Sequence, residues 1–326
     1  LPNESVTDPS ADKPTGQPPI PRWPRFFSAE RRRPRGLHSS QPIAYLYLAP
    51  AFAFFIAFAL VPLAQTVNLS FYEWNGITDR TWIGFENYAT VLTDPKIREA
   101  LGHSIVLIGF YAALPITIAL IIVGLMVRVR VRGQSWFRAV LFVPTILPLT
   151  VVAVSWRWIY APNGPLNRAL DLVGLDNVSR AWLGDFTFAL PALGLIGTWV
   201  TFGLVFVLFL AGVQKIPIEL YEAAKIDGAN IFREFLHVTL PGLRGEITIA
   251  LVLTVTAALR NFDVVFVTTR GGPGTTTEVP SVFIFRSVFQ TREVGLGAAI
   301  GVVLMIELLI VNVAILWYRR RGVVTS

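Results

Sequence analysis

IPIELYEAAKIDGANIFREFLHVTLP, residues 216–241, is a charged, helix-prone stretch set between two long apolar runs. Pro217 suits the first turn of a helix, where its missing N–H has no partner to lose. Glu219 in that turn complements the positive end of the helix dipole. Leu220, Ala223 and Ala224 line one face, and Glu219, Glu222 and Lys225 supply charge beside it. Gly228 falls where a helix closes through a left-handed residue. Phe232, Phe235, Leu236 and Leu240 then recur at helical spacing. The pattern predicts a short helix, a sharp turn and a second helix that Pro241 breaks.

The flanks of this stretch set the fold class. Only 15% of the 326 residues are charged, against about 25% in soluble domains. The rest of the chain is dominated by apolar blocks about 20 residues long, the length a bilayer demands. Six spans are predicted, at about 43–66, 104–127, 138–159, 189–213, 247–267 and 297–318, which makes this an all-α membrane protein. The first would cover about 36 Å as a helix, enough for a hydrocarbon core of about 30 Å with tilt. Pro144 and Pro148 fall inside the third, where neighbouring helices can satisfy the freed carbonyls. Residues 1–41 are polar and proline-rich and read as a disordered tail. The apolar run after this tail is too long for a cleaved leader and lacks a small-residue cleavage site, so it reads as an uncleaved span.

Basic residues orient the spans. Of the 28 Lys and Arg residues, 18 fall in the N-terminal tail, the 128–138 and 214–246 loops and the 319–326 tail, and 9 in the other loops. The excess puts both termini and the 214–246 loop in the cytosol. The net charge of +7 is therefore a topology signal and not a sign of nucleic-acid binding. No cysteine is present, which excludes disulfides and thiolate metal sites. The three histidines are far apart, and no Gly-Lys pair exists from which a Walker phosphate loop could be built. The chain is thus expected to bind no cofactor of its own.

Glu222-Ala223-Ala224, Asp227-Gly228-Ala229 and Leu240-Pro241 together resemble the EAA loop of ABC-importer permeases. The fold this implies is that of a type I importer permease. The loop is then a coupling helix docked on a separate ATPase subunit, with Glu219, Glu222, Ala223, Ala224, Asp227, Gly228, Ala229, Leu240 and Pro241 at the contact. Without the resemblance, a lipid-surface helix pair that merely connects two spans fits the residues as well. Further stretches are similar to the carbohydrate class, which includes the maltose and glycerol-3-phosphate importers. They are Ser70-Phe71-Tyr72-Glu73-Trp74-Asn75, Gly84-Phe85-Glu86-Asn87-Tyr88, Trp156-Arg157-Trp158, Asn261-Phe262-Asp263 and Thr269-Arg270-Gly271-Gly272-Pro273. Implied partners are a second, unlike permease, two copies of an ATP-binding subunit carrying ATP and Mg, an extracytoplasmic solute-binding protein and membrane lipid, in a bacterial cytoplasmic membrane.

The resemblance also places Asn261, Trp199 and Thr201 at substrate-contacting positions. Thr254 lies seven residues before Asn261 and is expected on the same face. Arg260 and Asp263 are spaced to share a helix face and pair, either structurally or toward a solute. Glu307 is a further charge inside a span, where charge is costly and often functional. A neutral sugar or polyol fits these residues. The alternatives are a phosphorylated solute such as glycerol-3-phosphate, and a secondary transporter independent of any motor.

Overall fold

The structure, a computed structural model, describes residues 42–126 and 134–323. The predicted disordered tail at 1–41, the basic run at 128–132 and the last three residues lie outside the described residues. Residues up to Phe55 and residues from Ile56 onward form two separate contact units. The first contributes the apolar helix Pro42–Phe55, with Pro50 inside it. The candidate span Tyr47–Leu69 carries no buried residue in its most apolar window.

Among the described residues, four more helices are long and apolar enough to cross a membrane: Pro95–Met126, Ala189–Val213, Arg244–Thr268 and Val294–Arg319. We refer to these as spans two, four, five and six. Span two starts at Pro95 and not near Ser104 as expected. The Asp94 carboxylate caps it, accepting from the N–H groups of Lys96 (2.7 Å) and Ile97 (3.4 Å), and Pro95 occupies the first turn. Lys96, Arg98 and Glu99 are therefore helical residues beyond the apolar stretch. Span three is not one rod. Arg138–Ile146 and Leu149–Ile159 meet at 104°, because Pro148 drives the residue before it out of the helical region. Counting this bent pair as one crossing restores the six expected.

Span four is the axis of the bundle: 61% of its most apolar window is buried, the largest share among the five unbroken candidate spans. Its glycines explain how neighbours come so close. A Cβ on Gly197 would lie 1.9 Å from the Tyr111 ring, and one on Gly203 would lie 2.0 Å from the Leu141 carbonyl oxygen. Two apolar cores flank this axis. One gathers Ile116, Val123, Phe206, Phe209, Leu243 and Leu259. The other gathers Leu107, Tyr111, Val152, Leu193, Ile196 and Val265. Thr145 donates its hydroxyl to the Val200 carbonyl at 3.0 Å, pinning the first half of span three to span four.

The 70–93 segment forms a small cap. Strands β1 (Tyr72–Glu73) and β2 (Thr81–Trp82) pair antiparallel, followed by the helix Glu86–Thr93. Asn87 donates to the carbonyls of Ser70 (2.9 Å) and Tyr72 (3.0 Å), while Phe71 packs its ring against Trp82, Phe85 and Tyr88. Gly295, at the start of span six, sits where a Cβ would meet the Tyr72 carbonyl, so the cap seats directly on that helix end.

The segment after span five turns through Arg270, Gly271 and Gly274, all at positive φ. It is tied down on both sides. Glu278, 1% exposed, pairs with Arg286 at 2.7 Å, and its carbonyl meets His103 Nδ1 of span two at 2.9 Å.

Candidate functional site

Two places carry the residues singled out above. The first is the 214–246 loop. Its first helix is Ile218–Ile226, with Pro217 extended just before it. Ala229 N–H donates to the Ala224 carbonyl at 2.9 Å and Gly228 N–H to the Lys225 carbonyl at 3.1 Å. With Gly228 at φ +73 this is a Schellman close, which requires a residue content with the left-handed region. Asn230 then caps the second helix, accepting from Arg233 N–H at 2.9 Å. The predicted helix–turn–helix is present.

One detail sharpens the expectation and another differs from it. The face of Leu220, Ala223 and Ala224 is turned outward: Leu220 and Ala223 are exposed and Ala224 is half-buried. The buried anchor is Tyr221, at 4% exposure, whose hydroxyl lies 3.3 Å from Thr239 Oγ1 and staples the two arms together. Burial pushes the Tyr221 phenol up from its ordinary range. Pro241 does not break the second helix. It stands in the first turn of Leu240–Gly242, after the π-helical turn Phe235–Thr239. The chain breaks instead at Leu243, which is fully buried.

The loop is held firmly from behind. Phe235 fills the space that a Cβ on Gly124 of span two would need, and Leu243 does the same at Gly212 of span four. Lys215 pairs with Glu246 at 2.9 Å across the loop's two ends. The front is apolar and open: Ile218, Leu220, Ile226, Ile231 and Phe232 are each more than half exposed. Glu219, Glu222, Asp227 and Gly228 share this exposed surface. A rigidly backed apolar patch rimmed by charge is the kind of surface that takes a protein partner.

The second place lies where spans two, four and five meet. Span two carries a π-helical turn, Gly109–Ala113, in its middle. Thr198 donates to the Phe110 carbonyl at 2.7 Å and Thr201 to the Tyr111 carbonyl at 3.0 Å. Inside lipid every backbone polar group needs such a partner. The Tyr111 hydroxyl accepts from Asn261 Nδ2 at 2.9 Å, and the Asn261 carbonyl accepts from Ser281 Oγ at 2.6 Å. Asn261 is 6% exposed.

This arrangement separates the six expected pathway residues. Thr201 and Thr254 are buried, and their hydroxyls bond to carbonyls one turn back, at Gly197 and Ala250. Asn261 is buried as well, and lies past the end of the helix that carries Thr254. Arg260 and Asp263 do not share a helix: Arg260 caps the segment ending at Leu259, and Asp263 begins the next, Asp263–Thr268. Both are exposed, and no ion pair joins them among the described residues. Trp199, 39% exposed, stands edge-on to Trp156 with ring centroids 5.6 Å apart. Trp199, Arg260 and Asp263 are thus the exposed members of the six. Tyr111 is the member of this node that sequence reasoning missed. Its signal was a phenol in the middle of an apolar span, where a hydroxyl has to find a partner.

Residues 105–321 match the family model of the binding-protein-dependent transport system inner membrane component. A probable ABC transporter permease protein of Bacillus subtilis is 33% identical over 88% of this chain and 99% of its own length. A trehalose/maltose transport system permease protein of Thermococcus litoralis is 32% identical over 85% and 95%. Among solved structures, a bacterial ABC transporter involved in the import of the acidic polysaccharide alginate shares the fold, with a TM-score of 0.72 over 87% of this chain and 96% of that one, at 23% identity. The helical bundle, the loop between spans four and five and these matches have one meaning: the chain is a multi-pass membrane protein of the binding-protein-dependent transport system inner membrane component family.

Proposed function

We propose that this chain is one permease subunit of an ATP-driven importer of carbohydrate, moved between inward- and outward-open states by its 214–246 loop. The observation that carries the reading is the open apolar patch of that loop, backed by spans two, four and five and closed by the Gly228 turn. A motor can shift the equilibrium of the bundle only through contacts that differ between the two states, and this patch is where such contacts fit. ATP and Mg belong to two copies of a partner ATPase, since this chain has no phosphate loop. A second, unlike permease completes the pathway, and a solute-binding protein delivers the solute from outside. Both termini and the loop face the cytosol of a bacterial inner membrane, as the distribution of basic residues supports. Carbohydrate as the cargo is supported by the trehalose/maltose relative.

At the pathway, Trp199 offers a ring face to the C–H face of a sugar, and Arg260 and Asp263 offer charge at the break in span five. The decisive experiment reconstitutes the chain with its partner subunits in liposomes and measures solute-stimulated ATPase activity and uptake across neutral and acidic oligosaccharides. Glu222→Lys and Gly228→Pro are expected to abolish uptake while the chain still reaches the membrane. Normal uptake in both variants refutes the coupling role, and transport by this chain without an ATPase subunit refutes the importer reading.

A further inference from the structure

A cleft of about 510 Å³ lies where the last turns of Tyr47–Leu69 meet the hairpin cap, between Val61, Ala64, Gln65 and Asn68 on the helix and Trp74 and Arg80 on the cap. Val61 and Ala64 give one end a hydrocarbon lining, Gln65 and Asn68 add two carboxamides further along, Leu69 and Trp74 stand beside them, and Arg80 reaches Asn68 at the other end. From Val61 to Asn68 is about 10 Å of helix.

The polar end is built before anything binds. The Arg80 guanidinium lies 4.6 Å from the centroid of the Tyr72 ring, and its Nη1 donates to Asn68 Oδ1 at 3.3 Å. Among the described residues no carboxylate lies within ion-pair distance of it. Trp74 donates Nε1–H to the Thr78 carbonyl at 2.8 Å, and its own carbonyl accepts the Val294 N–H of span six at 2.9 Å. Asn75 Oδ1 closes the turn between them, accepting from the N–H groups of Ile77 and Thr78, each at 2.9 Å.

We propose that this cleft holds one phospholipid, with acyl chain along Val61 and Ala64 and the phosphodiester against Arg80. The helical wall belongs to a span with no buried residue in its apolar window, so this chain leaves the cleft open on its membrane-facing side. Trp74 and Arg80 mark the interface depth, where an indole and a snorkelling cation are favoured. A guanidinium with spare donors matches phosphate geometry, and the carboxamide N–H groups below it suit ester carbonyls. A phospholipid presents anion, ester and hydrocarbon in the same order as the cleft does. A helix of a partner protein in the same place would have to match three polar side chains over an apolar floor with its own.

The test uses the full chain purified in detergent and native mass spectrometry with added phosphatidylglycerol. A single adduct per chain is expected at low lipid. Arg80→Ala should weaken it by roughly tenfold, the worth of a charged hydrogen bond. Ala64→Trp, which fills the floor, should remove it. Both side chains are exposed, so both variants should still fold, with Arg80→Ala losing only the modest contact to Tyr72 and Asn68. Diacylglycerol, which lacks the phosphate, should bind no better to wild type than to Arg80→Ala. Equal adducts on wild type and Ala64→Trp overturn the proposal in favour of unselective boundary lipid. Binding of inorganic phosphate alone with the same affinity overturns it in favour of a free-anion site. Cross-linking of Asn68→Cys to a second permease in the assembled membrane complex overturns it in favour of a protein occupant.

Discussion

Tyr111→Phe removes one oxygen from the meeting point of spans two, four and five, and the structure says what that oxygen does. It is the acceptor for Asn261 Nδ2 at 2.9 Å, and Asn261 is 6% exposed. Leaving a buried donor without an acceptor costs about 1–3 kcal/mol in soluble proteins. Within a bilayer the measured coupling between buried polar side chains is smaller, about 0.6 kcal/mol on average and about 1.7 at most, because the inserted but unassembled chain also finds partners. The membrane figure governs here, so Tyr111→Phe should destabilise the chain by about 1 kcal/mol. Asn261→Leu should cost a similar amount, and the double variant little more than either alone. The assay is reversible unfolding of the purified chain in lipid bicelles against a denaturing detergent, run as a double-mutant cycle. Additive losses, to within about 0.5 kcal/mol, would refute the claim that Asn261 is held by Tyr111. Because Phe keeps the ring that packs against Gly197, a loss in Tyr111→Phe cannot be blamed on packing.

Gly203→Ala should lower the thermal midpoint sharply in detergent, since its Cβ would lie 2.0 Å from the Leu141 carbonyl oxygen, while Gly245→Ala, with nothing within 4 Å, serves as the neutral control. The expected loss is about 1–3 kcal/mol, the usual cost of overpacking. At Gly228 there is space but a φ of +73, so Gly228→Ala is strained by about 1–2 kcal/mol and Gly228→Asn by less; uptake in liposomes should rank wild type above Asn above Ala. Stability should also depend on pH through Glu278. Burial holds its carboxyl above the ordinary value of 4.5, with Arg286 pulling it back. A raised carboxyl contributes stability that is full below its unfolded value and lost as pH climbs through the folded one. Thermal midpoints should therefore fall as pH rises above 4.5, and Glu278→Gln should flatten that slope.

The spans were legible because lipid permits so few backbone solutions, and hydropathy alone marks where helices must be. Their ends were less so. Lys96, Arg98 and Glu99 look like loop residues by charge, yet Asp94 and Pro95 start a helix ahead of them that simply projects beyond the apolar stretch. The 216–241 stretch was legible for a different reason: a Schellman close needs a left-handed residue, and Gly228 can be read as one from sequence. What sequence could not say is which way side chains spend their polar atoms. Thr201 and Thr254 occupy helical positions where a hydroxyl either faces an opening or bonds back one turn, and periodicity does not separate the two. The break at Arg260–Phe262 likewise hides behind apolar neighbours, so two charges three residues apart looked like a helical pair.

These unreadable details bear on how the chain works. Phe235 against Gly124 and Leu243 against Gly212 fix the loop to spans two and four, and Leu243 leads straight into span five. Those same three spans come together again at Tyr111, through Thr201 on span four and Asn261 on span five. The interior is close-packed and transmits strain because voids that could absorb a shift are few. On the coupling proposed above, a displacement of the loop would act on the set of helices whose contacts close around Tyr111, with Trp199, Arg260 and Asp263 exposed beside it. The Tyr111–Asn261 bond is the contact to watch in both states of the bundle: if it persists unchanged when the motor is ATP-bound, the opening that exposes a solute site lies elsewhere.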